Sequence, residues 1–175
     1  MLFRLTLTSA LAMGIVALAF SGSVNAHDYK VGSLQIEHPW ARATAPGQVT
    51  GAGYLVIKNT GQVDDKLVSI STGAAEKAEV HKTTEENNMS KMSAVGDLTI
   101  PAGETVQLAS GGYHVMFVRI KAPFKQGTKI QATLAFAKAG QIKIDFNVEP
   151  LTYKAEHMEH MEHMEHMDMS GQKTH

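Results

Sequence analysis

From Ile142 to Glu149 apolar and polar residues alternate without a break. Ile142, Ile144, Phe146 and Val148 fall on one phase, Lys143, Asp145, Asn147 and Glu149 on the other. A period of two becomes a single apolar face only in an extended chain, so the segment reads as a strand with one side buried. Ile130, Ala132, Leu134 and Phe136 repeat the pattern just upstream, and Ala139-Gly140 supplies a hairpin turn between the two runs. Further strands are read at Gly53–Lys58, Lys66–Ile70, Ala78–Thr83, Thr105–Leu108 and Tyr113–Ile120, separated by turn residues at Asn59-Thr60-Gly61, Pro101-Ala102-Gly103, Gly111-Gly112 and Gln126-Gly127. No segment carries an amphipathic helical stripe longer than two turns. Strands this short and this evenly spaced predict an all-β fold, an antiparallel β-sandwich or Greek-key barrel.

The ends of the chain have a different character. Residues 1–26 have the layout of an export signal: Arg4 first, then an apolar run from Leu5 to Phe20, then Val24 and Ala26 at the −3 and −1 positions of a cleavage site. The apolar run is shorter than the roughly 20 residues that span a bilayer. Cleavage is therefore expected after Ala26, leaving a domain over 27–153 with no membrane insertion of its own. Residues 154–175 contain no Val, Ile, Leu or aromatic residue, cannot bury a core, and are expected to form a flexible C-terminal tail.

Composition removes several function classes. The net charge is −1, and becomes −2 once Arg4 leaves with the leader, so there is no electrostatic case for nucleic acid. Cysteine is absent, which excludes disulfides, a lipid-anchored cysteine and the thiolate that a blue-copper electron carrier needs. The domain has too few histidines for a copper–zinc dismutase, and no triad or carboxylate pair marks acyl or glycosyl chemistry. An enzyme is not expected. Any metal must be held by His, Met, Asp or Glu.

Two groups of such residues stand out. The first is the repeat EHMEHMEHMEHMDM at 156–169. The second is dispersed. His114 and Met116 lie two apart in a predicted strand, so an imidazole and a thioether project from one face while Val115 and Phe117 point to the other. An isolated His-x-Met also fits a surface histidine beside a core methionine. Outside the leader, His27 and the tail, however, the only histidines are His38, His81 and His114, and the only methionines Met89, Met92 and Met116. Ten residues separate His81 from Met92, twenty-one separate Met92 from His114, and one separates His114 from Met116.

This spacing resembles the PCuAC-type periplasmic copper chaperones, whose fingerprint is H-x10-M-x21-H-x-M. The likeness extends over nearly the whole domain, through His38-Pro39-Trp40-Ala41-Arg42-Ala43-Thr44, Gly51-Ala52-Gly53-Tyr54, Asn59, Gly61, Asp64-Asp65, Leu67, Pro101-Ala102-Gly103 and Gly111-Gly112. It implies a cupredoxin-like fold and a Cu(I) ion held by His81, Met92, His114 and Met116. It also implies delivery to the CuA centre of cytochrome c oxidase during assembly, with the CuA-carrying subunit or another copper-assembly protein as partner. The donor types agree: thioethers favour Cu(I), imidazoles accept either oxidation state, and all four ligands are neutral, which suits transfer better than storage.

The tail then reads as an accessory. Its period of three matches no strand or helix face. Its donors suit both oxidation states: His157, His160, His163 and His166 for Cu(II), and Met158, Met161, Met164, Met167 and Met169 for Cu(I). Met89 reads as loop packing, with a reserve ligand as the alternative, His38 as structural or exposed, and Trp40 as a core or site-rim residue. His27 would gain a free amine on cleavage that could chelate Cu(II). The competing reading is a copper or zinc buffer in which the tail dominates.

Overall fold

The computed structural model describes residues 28–86 and 89–153. The expected leader and cleavage site, His27 and the His/Met-rich segment expected to form a tail all lie outside the described residues. The strands are β1 (Tyr29–Val31), β2 (Leu34–Arg42), β3 (Thr50–Asn59), β4 (Asp65–Thr72), β5 (Ala75–Glu86), β6 (Met89–Ala94), β7 (Leu98–Ile100), β8 (Thr105–Leu108), β9 (Tyr113–Ile120), β10 (Lys129–Phe136) and β11 (Gly140–Glu149). No helix occurs among the described residues.

Eight of the eleven strands close into a barrel in the order β5-β9-β8-β3-β2-β11-β10-β4, sealed by one β4–β5 pairing, Ile70↔Ala78. The others extend its edges: β1 on β2, β6 on β5 and β7 on β4. The all-β, cupredoxin-like expectation holds, with one refinement. The ladders are not all antiparallel: β11 runs parallel to β2 and β8 parallel to β9, so the barrel is mixed.

The alternation read from the sequence is the alternation of burial. Ile144, Phe146 and Val148 of β11 and Ile130, Ala132, Leu134 and Phe136 of β10 are buried, across a hairpin whose register runs from Lys129↔Asn147 to Phe136↔Gly140. Phe117 sits at the centre, edge-on to Phe124 and Phe146 at centroid distances of 5.3 and 5.6 Å. Glycines on β3 make room for these rings. A Cβ on Gly51 would lie 2.5 Å from the Phe124 ring, and one on Gly53 would lie 2.8 Å from Phe117 and 3.2 Å from Phe146. Gly53→Val is expected to destabilise the barrel by about 1–3 kcal/mol through overpacking, read as a lower urea midpoint at unchanged slope.

Strand β2 was not read as a strand because Pro39 interrupts it. The barrel absorbs the proline in a bulge: the β2–β3 register shifts between Glu37 and Trp40, and His38 takes a positive φ of 49°. At the start of β4, Asp65 is buried and accepts three backbone N–H bonds, from Lys66 (2.7 Å), Lys138 (2.9 Å) and Ala139 (2.8 Å). It ties β4 to the β10–β11 turn.

Candidate metal centre

The outer face of β5 and β9 gathers the dispersed ligands. In the antiparallel β5–β9 ladder His81 is directly opposite His114, and Glu79 directly opposite Met116. Residues paired in this way project to the same side. Val80, Val115 and Phe117 take the other side and fill the core, so His81, His114 and Met116 share the face away from it. The imidazole centroids are 6.1 Å apart, with the rings inclined at 49°. Two rings at that separation can share one ion lying about 2 Å from a nitrogen of each.

The hydrogen bonding of these histidines suits a ligand role. His114 Nδ1 is 3.2 Å from the Gly112 carbonyl. A carbonyl only accepts, so Nδ1 carries the proton and the Nε2 lone pair is left free. Burial pushes the His114 imidazole below its ordinary pKa; the Gly112 bond opposes this and the neighbouring His81 adds to it. The ring is thereby biased toward the neutral form that coordinates metal. Among the described residues both ring nitrogens of His81 are buried without any hydrogen-bond partner, an arrangement that costs free energy unless something occupies them.

Met92 reaches the same face from the next strand. It is opposite Thr83 on β6, one step diagonal from His81, whose own partner is Ala94. Its side chain is half exposed (49 %), whereas His114 is 5 % exposed. The sequence reading placed Met92 after a polar loop, Thr84 to Ser90. Most of that stretch is instead a hairpin, with Glu86↔Met89 as the last pair, and it went unrecognised because every residue of β6 is exposed and shows no burial period. Met89, three residues from Met92, lies on the opposite face of β6 and is 68 % exposed. It is therefore neither loop packing nor on the face of the histidine pair. His38 is exposed at the β2 bulge. Among the described residues no three His, Asp or Glu side chains converge to hold a metal; the thioethers of Met92 and Met116 are further donors on this face.

Two neighbours of this face complete its surroundings, and the first, Glu79, was not anticipated. Glu79, between Lys77 and His81 on the same side of β5, bonds Lys77 Nζ at 2.7 Å through Oε1 and leaves Oε2 3.8 Å from His81 Nε2. The Lys77 ammonium holds its carboxyl below the usual range, with partial burial opposing the shift. At 3.8 Å the His81 contact is longer than a hydrogen bond. The alternation Lys77-x-Glu79-x-His81 was the signal available in the sequence.

The second neighbour is an aromatic platform. Ala52 is opposite Met116, so Tyr54, two residues on, shares the ligand face, and Trp40 is opposite Tyr54. Trp40 stacks on Tyr54 at 4.3 Å and meets Tyr153 edge-on at 4.8 Å, with the Arg42 guanidinium 6.0 Å from the Trp40 ring. Trp40 is thus buried on the outer face rather than in the barrel core.

Residues 34–148 match the family described as "Putative lipoprotein LpqE-like". The chain belongs to this PCuAC-type copper chaperone family. A relative from Leifsonia xyli subsp. xyli, named "Putative lipoprotein Lxx21020", is 32 % identical over 139 residues, covering 78 % of this chain and 82 % of the relative. Among solved structures, the copper-bound PCuAC domain of PmoF2 matches with a TM-score of 0.61 and 29 % identity, over 71 % of this chain and 98 % of that domain. The solution structure of CuI-DR1885 from Deinococcus radiodurans matches with a TM-score of 0.55 and 27 % identity, over 74 % and 85 %. The lipoprotein label of the relatives has no counterpart in a lipidated thiol here, since these 175 residues include no cysteine.

Proposed function

We propose that the chain is an exported, periplasmic copper chaperone. In this reading it holds Cu(I) with His81, Met92, His114 and Met116 and hands it to the CuA centre of cytochrome c oxidase during assembly. The observation that carries the proposal is the His81–His114 pair, directly opposed across two strands, with His114 Nε2 free and both His81 nitrogens unpartnered. Met116 and Met92 supply soft sulfur on the same face, and the two imidazoles with two thioethers give a neutral donor set that prefers the cuprous ion. The copper-bound structures of PmoF2 and DR1885 support copper as the cargo. Export is supported by the leader and by the lipoprotein names of the relatives.

The tail is assigned an accessory role, capturing Cu(I) or Cu(II) near the core site. The described chain ends at Tyr153, on Trp40 of β2, and β2 is two strands, about 10 Å, from β9. His157 follows Tyr153 by four residues, a span of at most about 14 Å. Capture there would raise the copper concentration beside the histidine pair as any short tether does.

Anaerobic Cu(I) titration against a chromophoric chelator tests both parts. The chain from residue 27 onward is expected to bind one Cu(I) tightly and further copper more weakly. Deleting 155–175 should remove the weak sites and keep the tight one. Loss of tight binding on deletion, or several sites of similar affinity in the full chain, would make the protein a tail-driven copper or zinc buffer.

A further inference from the structure

We infer that Glu79 is a positioning residue for the copper centre, held by Lys77 and setting which ring nitrogen His81 presents to the metal. The inference rests on the centre proposed above.

Lys77, Glu79 and His81 occupy alternate positions of β5 and so lie in a row on its outer face, opposite Val118, Met116 and His114 of β9. Glu79 Oε1 is taken by the Lys77 ammonium at 2.7 Å, which fixes the carboxylate and turns Oε2 toward His81 Nε2 at 3.8 Å. A movement of about 1 Å brings that pair to hydrogen-bond length. Among the described residues no other group competes, because neither ring nitrogen of His81 has a hydrogen-bond partner there. A carboxylate facing one nitrogen of a ligand histidine places the proton there and leaves the lone pair on the other. For His81 the proton goes to Nε2 and the metal to Nδ1.

His114 has the reverse arrangement, with Nδ1 protonated toward Gly112 and Nε2 free. The two imidazoles therefore approach the ion through different nitrogens. Glu79 also places a negative charge one residue pair from the ion, beside a ligand set that has none. It acts through His81: Oε1 is taken by Lys77 and Oε2 lies beside Nε2 of that ring.

Nitrogen-resolved NMR of histidine-labelled protein, from residue 27 onward, reads the tautomers directly without and with one equivalent of Cu(I). The expected result is Nε2–H at His81 in both states, with copper shifting His81 Nδ1 and His114 Nε2. In Glu79→Ala the two His81 tautomers should mix, and Cu(I) affinity should fall about tenfold. Glu79→Gln, which keeps an acceptor oxygen, should restore most of the tautomer bias. Copper on His81 Nε2 in the unaltered chain would overturn the inference, as would an unchanged tautomer and affinity in Glu79→Ala. If both histidines respond to copper and only the Glu79 variants are silent, the centre stands and this role alone fails. If neither histidine responds to copper, the centre is misassigned and the inference falls with it.

Discussion

Replacing Met92 and Met116 together by alanine is expected to lower Cu(I) affinity by more than about 100-fold, beyond the range for losing an outer-shell partner, with the fold retained. The reason is the softness of the donors. Without the thioethers, the face keeps two imidazoles, which bind Cu(II) and Zn(II) as readily as Cu(I) and give no preference for the cuprous ion. Stability should change little, since Met92 is half exposed on an edge strand and Met116 is outside the buried core. The same anaerobic competition titration, with far-ultraviolet circular dichroism as a check on folding, measures both. A double variant that binds as tightly as its parent would remove the sulfur ligands from the proposal. A variant that loses tight binding but keeps the weaker sites would place those sites on the tail.

Asp65→Ala is expected to cost about 3 kcal/mol of stability, the largest single loss expected away from the aromatic core. The substitution leaves the N–H groups of Lys66, Lys138 and Ala139 without their shared acceptor, and each such charge-assisted bond is worth about 1.5–3 kcal/mol. Burial pushes the Asp65 carboxyl upward, but the three N–H bonds and the nearby Lys138 charge outweigh it and hold the pKa below 3.8. The sign of the pH dependence follows. The contribution is fully present above the unfolded value and is lost as pH falls through the lower folded value. The stability difference between the parent and Asp65→Ala in urea should therefore be large at neutral pH and shrink below about pH 4. A difference that stays constant down to pH 2 would show that the ionised carboxylate is not what ties β4 to the hairpin.

The parts of the fold legible in the sequence are those with one buried and one wet face. Strands β9, β10 and β11 alternate because the barrel core takes every second residue, and their boundaries fall within a residue or two of the pattern. Strand β2 escaped because Pro39 and the His38 bulge break the period in its middle, although Leu34, Ile36 and Ala41 are fully buried. Strand β6 escaped for the opposite reason: it buries nothing, and only its backbone pairing with β5 makes it a strand. The candidate ligands were legible through spacing and residue type, which survive any error in strand boundaries. The roles of Glu79 and Tyr153 were not, because both depend on which strands become neighbours. Lys77 and Glu79 could have been read as lying in line with His81, but the register that sets Glu79 opposite Met116 is a property of the closed barrel.

The unequal burial of the ligands sets an order of events for copper held as proposed. His114 is buried and oriented by the Gly112 carbonyl, on a strand paired on both sides, whereas Met92 is half exposed on a strand paired on one side only. An incoming donor from another protein can reach the ion past Met92 but not past His114. Ligand exchange would then be associative and sequential, with the thioether of Met92 the first to leave and the His114 imidazole the last. Copper passed in that order is never without protein ligands, so the transfer rate depends on the collision with the acceptor rather than on spontaneous release. Doubling the acceptor concentration would double the observed rate, and the excursions of one edge strand would decide how readily the exchange begins.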